Sequence, residues 1–101
     1  QYPKLNLLFV CDFNCPQSHT VFNPLRKMGF LPVFVNQKTS LKRECIDDEC
    51  LASEFDNIWY DSSKVKVTNA KVIHFYGGFE LLSEARKISD HIPVVLEFEL
   101  R

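Results

Sequence analysis

No stretch of this chain approaches the roughly 18 to 20 consecutive apolar residues that a membrane-spanning helix needs, so no span is expected. An excess of one charge is missing too, with 12 Lys+Arg against 13 Asp+Glu. A sequence-independent nucleic-acid binder usually carries a broad basic field, so that class loses support. Catalysis on a phosphodiester needs no such field. There is no C-x-x-C, and Cys11, Cys15, Cys45 and Cys50 do not have zinc-knuckle spacing. A Cys45–Cys50 bridge is open in an oxidising compartment, but the expectation is that the thiols stay reduced, as in the cytosol. No cleavable leader is legible, and Gln1 rather than a Met stands first. The compartment is left open on that account, with the cytoplasm slightly favoured. Internal repeats and low-complexity linkers are also lacking, and the 101 residues read as one domain over 1–101.

Core-forming material is plentiful. Hydrophobic residues make up 46% and aromatics 13%, a composition that argues against a disordered chain. Leu5–Val10 reads as a strand buried on both faces. A short helix follows within Ser18–Met28, with Asn23 as cap, Pro24 at its first position and Gly29 at its end. Leu31–Val35 reads as extended. Asn36–Ser53 is polar and reads as a long loop, with Asp47-Asp48-Glu49 solvated rather than binding calcium. Phe55–Tyr60 is a strong strand. Lys64–Val67 and Lys71–Tyr76 read as strands separated by a turn or bulge at Thr68-Asn69. After Gly77-Gly78, Phe79–Ile88 has a helical stripe of Leu81, Leu82, Ala85 and Ile88. Ile92–Leu100 closes the chain as a strand, Val94, Leu96, Phe98 and Leu100 on one face and Glu97 and Glu99 on the other. This order of elements argues for a layered α/β domain.

Three segments share one design, in which an acid sits where a strand meets a loop. They are Asp12-Phe13-Asn14, Phe55-Asp56-Asn57-Ile58 and Ser89-Asp90-His91. Strand ends along one sheet edge are where α/β proteins gather reactive groups. Hydrolysis of a phosphodiester requires a divalent cation, a carboxylate to hold it or orient water, a donor for the phosphate oxygens and a proton-moving group. Asp12, Asn14, Asp56, Asp90 and His91 supply those types. His19 and His74 have no partner motif and read as structural or surface residues, and Trp59 reads as core. The pairs Lys42-Arg43 and Arg86-Lys87 are the only hints of contact with a phosphate backbone.

"CDFN", "FDNIWY" and "SDHIPVVLEFEL", in this order, resemble the C-terminal half of the endonuclease/exonuclease/phosphatase family, which includes pancreatic-type deoxyribonucleases and abasic-site endonucleases. Cys11 stands where that family usually has Gly. The resemblance implies half of a four-layer α/β/β/α sandwich, a mixed sheet with helices on one face. It implies a magnesium- or manganese-dependent phosphodiester hydrolase, most naturally a DNA nuclease of repair or degradation. Asp12 would orient the attacking water or hold the metal, with Asp90 a second metal carboxylate. Asn14 would grip a phosphate oxygen, His91 would move the proton, and Asp56 would fix the His91 tautomer. The family's N-terminal half, with its metal-binding glutamate and second histidine, has no counterpart here. The sheet face that meets that half would be left open, so association of two or more copies through it is expected. The rival readings are a non-catalytic oligomeric half-domain that binds DNA or a partner, and an inactive fragment of a longer enzyme.

Overall fold

A computed structural model describes residues 7–101. Leu5 and Asn6, where the first expected strand begins, lie outside the described residues. The chain is mixed α/β, with seven short strands and two short helices among those residues. In chain order these are β1 (Leu8–Asp12), α1 (Asn23–Lys27), β2 (Phe30–Pro32), β3 (Leu41–Ile46), β4 (Glu49–Leu51), β5 (Asp56–Asp61), β6 (Val65–Val72), α2 (Leu82–Ile88) and β7 (Val94–Leu100). The strands form a three-stranded sheet, β1-β5-β2, and two hairpins, β3-β4 and β6-β7. Every pairing between these strands is antiparallel, where a mixed sheet was expected.

The central strand β5 carries the core. Asn57, Ile58 and Trp59 are buried in succession, Trp59 completely. Trp59 stacks on Phe22 with ring centroids 4.8 Å apart, and Phe30 completes a buried cluster that also gathers Phe13, Cys15 and Leu25. The Arg26 guanidinium lies 5.3 Å over the indole and donates hydrogen bonds to the carbonyls of Gln17 and His19 and to Asn23 Oδ1. Pro24 sits in the first turn of α1 as expected, while Asn23 is already helical and gives no N-cap bond. His19 does the capping instead: its Nδ1 accepts from the Val21 N–H of a short 3-10 turn, a structural role.

Several expectations need correction. Strand β1 is not buried on both faces: it lies at the sheet edge, with Val10 62% exposed. The stretch 36–53 is not a loop but holds the β3-β4 hairpin. Its tip, Asp47-Asp48, has φ of 51° and 67°, the paired positive values of a type I′ turn, which Asp tolerates. Cys45 and Cys50, expected as free thiols, are joined by a disulfide across this hairpin. Lys64–Val67 and part of Lys71–Tyr76 merge into one strand, β6, with a bulge at Thr68 where register passes from Val67↔Phe98 to Asn69↔Glu97. The end of that stretch, from Phe75, is instead 3-10 helix to Gly78. Helix α2 starts three residues later than expected and buries Ala85, while Leu81 and Ile88 stay exposed. A second core cluster of Leu41, Leu51 and Ile92 joins the hairpin β3-β4 to the approach to β7.

Candidate functional site

Register brings the first two acids together. Asp12 ends β1, Asp56 begins β5, and the two are direct partners in the antiparallel ladder. Like charges placed opposite one another destabilise a sheet, so a compensating group is needed. His91 supplies it. Its Nδ1 is 2.6 Å from Asp56 Oδ2 and its Nε2 is 3.6 Å from Asp12 Oδ2, one carboxylate on each ring nitrogen. Period-two alternation puts Asp12 and Asp56 on the sheet face away from Phe9, Trp59 and α1. The cluster therefore lies outside the aromatic core, at a rim with solvent access.

The backbone that delivers His91 is stitched in place. Residues 39–41 run beside residues 90–92 through an isolated antiparallel bridge between Ser40 and His91. Leu41 N donates to the Asp90 carbonyl and Ile92 N to the Thr39 carbonyl, both at 2.7 Å. The Ser89 hydroxyl accepts from His91 N at 3.0 Å. Thr39 is completely buried, and its hydroxyl donates to Asp56 Oδ2 at 2.6 Å. Sequence reading missed Thr39 because it sits in the polar stretch taken for a loop. Beside the imidazole, Phe75, Ile88, Ser89, Ile92 and Pro93 line an apolar cavity of about 280 Å³.

Electrostatics follow from this geometry. Partial burial draws the His91 pKa down, but the Asp56 hydrogen bond and the charges of Asp56, Asp12 and Asp90 outweigh it. The net pKa lies above the ordinary histidine value. Asp12, Asp56 and His91 each present a ligand atom within 4.8 Å of the others. Asp90 is not in that set, but its Oδ1 is 3.9 Å from His91 Nε2, on the same side of the ring as Asp12. Asp12 Oδ1 accepts from Asn14 N at 3.1 Å, which leaves Oδ2 toward the histidine. Asn14 is exposed at φ 52°; among the described residues its side-chain amide makes no hydrogen bond and is not drawn into the cluster.

Four of the five residues singled out from sequence thus meet around one imidazole, and Asn14 stands beside them. Such a cluster can orient a water, take a proton from it and present carboxylate oxygens to a hard cation. No helix among the described residues is long and apolar enough to cross a membrane. Comparison with protein-family models, curated proteins and solved structures returned no match.

Proposed function

We propose that this chain is a divalent-metal-dependent phosphodiester hydrolase of the nuclease/phosphatase type, acting on DNA in repair or degradation. The observation that carries the reading is the Asp12–His91–Asp56 arrangement, with an imidazole held between two carboxylates from distant parts of the chain. Asp56 accepts the Nδ1 proton, leaving the Nε2 lone pair to take a proton from water. Asp12 faces that nitrogen and orients the attacking water in line with the scissile bond. Asn14 supplies an amide donor at the open edge for a non-bridging phosphate oxygen.

The donor set fits Mg²⁺ or Mn²⁺. The Asp12 and Asp90 side chains are 43% and 61% exposed, and Mg²⁺ favours a site with one or two carboxylates that keeps several waters. Asp12 and Asp90 would hold the cation, which supplies neutralisation of phosphate charge. Asp56 is already engaged by Thr39 and His91, so it serves the imidazole.

Two copies associating through the open sheet face would supply the surface that the N-terminal half covers in the family resembled here. They would bring two sets of Asp12, Asn14, Asp90 and His91 toward a two-fold axis.

The test is nicking of supercoiled plasmid with Mg²⁺ or Mn²⁺, with EDTA and His91→Ala as controls. Loss of a proton-transfer group removes on the order of a hundredfold or more, so His91→Ala should abolish nicking, and EDTA should do so by withdrawing the cation. A gel shift with no nicking favours the non-catalytic binder. Nicking only after a separate N-terminal half is added favours the fragment. Nicking that survives His91→Ala overturns the assignment of the site.

A further inference from the structure

We propose that Thr39 is the positioning residue of this site, its hydroxyl fixing the Asp56 carboxylate and, through it, which nitrogen of His91 carries the proton. The inference follows from counting hydrogen-bonding positions. A threonine hydroxyl has one proton and two lone pairs. Both lone pairs of Thr39 Oγ1 are taken, by Phe55 N at 3.2 Å and Asp56 N at 2.9 Å. Its proton is left with one acceptor, Asp56 Oδ2 at 2.6 Å. The hydroxyl cannot rotate away without stranding a half-buried backbone donor.

Asp56 Oδ2 also lies 2.6 Å from His91 Nδ1. An ionised carboxylate only accepts, so Nδ1 must donate. The Nδ1–H tautomer leaves the Nε2 lone pair facing Asp12 and solvent. The same residue holds the other half of the pair, because the Thr39 carbonyl accepts from Ile92 N immediately after His91. One buried side chain thus sets the carboxylate, and its own backbone sets the histidine. Without the hydroxyl the carboxylate can turn about its side-chain torsions, and the neutral ring can take its proton on Nε2, where it is useless as a base. The consequence for turnover rests on the hydrolase reading above, whereas the consequence for the tautomer does not.

The experiment is long-range ¹H–¹⁵N correlation NMR of the His91 ring. It uses the full chain in EDTA, at one pH at which the ring is neutral. The unsubstituted protein and Thr39→Ser should show Nδ1 protonated and Nε2 bare. Thr39→Val should show the Nε2–H form rising severalfold. A folded Thr39→Val with the wild-type ring pattern overturns the proposal, as does Thr39→Ser behaving like the valine variant. The unsubstituted protein provides a check if Thr39→Val does not fold. Its Thr39 hydroxyl proton should give a resolved, slowly exchanging resonance with a cross-peak to the His91 Nδ1 proton, and absence of that resonance overturns the proposal. In the plasmid assay Thr39→Val should nick ten- to a hundredfold more slowly, the usual effect of losing a group behind a site histidine. No nicking by any form, with the tautomer shift intact, refutes the hydrolase and leaves the positioning role standing.

Discussion

At the scale of the residue, His91 is the group on which proton and charge balance turn. Burial opposes its charged form, yet three carboxylates surround it and raise its pKa above the ordinary value of about 6.5. A group whose pKa is raised by folding binds its proton more tightly in the folded state. Its contribution to stability is complete below the unfolded value and is lost as pH rises through the folded one. Asp56→Asn removes the nearest charge, so the stability gap between wild type and Asp56→Asn should be widest just below about pH 6.5 and narrow above it. Urea denaturation in EDTA across that range measures the gap; a gap that widens with rising pH contradicts the pairing. Asp12, Asp56, Asp90 and His91 were legible in the sequence because each sits beside an apolar run, where a strand meets a loop, and because the three motifs that hold them agree in order with one family. Thr39 was not legible. A threonine in a polar run has no periodicity to mark it, and its partners are 16 and 17 residues away.

At the scale of the element, the strong strands and the misread ones differ in burial. Strand β5 is apolar and central, and its reading as Phe55–Tyr60 is one residue from the observed Asp56–Asp61. Strand β3 is buried only at Leu41 and exposed along most of its length, so its polar face hid the alternation. What holds that hairpin is local: two adjacent positive-φ aspartates at the turn and the Cys45–Cys50 bridge. A disulfide stabilises by limiting the unfolded chain, and a loop this short is worth about 2 kcal/mol. Reduction, or Cys45→Ser with Cys50→Ser, should lower stability by about that amount, read from the urea midpoint. The bridge lies at the turn end of the hairpin and the site at the Leu41 end. The His91 ring pattern should therefore survive reduction, and its loss would show that the hairpin end positions the site more than Thr39 does.

At the scale of the whole molecule, the chain is elongated, 48 × 28 × 21 Å, with a radius of gyration of 15.4 Å. A compact domain of this length has about 13 Å. The cause lies in the architecture: the strands are split among a three-stranded sheet and two separate hairpins, and the core is split into two clusters. Alternation along the paired strands puts Leu8, Val10, Leu31, Ile58 and Tyr60 on the same sheet face as Asp12 and Asp56. On that face Val10 is 62% and Leu31 46% exposed. On the separate β6-β7 ribbon Phe98 and Leu100 are exposed as well. An apolar surface of this kind is stable when covered. Sedimentation velocity at micromolar concentration should therefore give a dimer or larger species. Val10→Asp with Leu31→Asp should shift it to monomer while far-ultraviolet circular dichroism and the His91 ring pattern are retained, because neither side chain contributes to the Thr39–Asp56–His91 chain of hydrogen bonds. A folded wild-type chain that stays monomeric throughout that range removes self-association from the proposed function. It leaves the acid–imidazole cluster to be judged by the nicking assay alone.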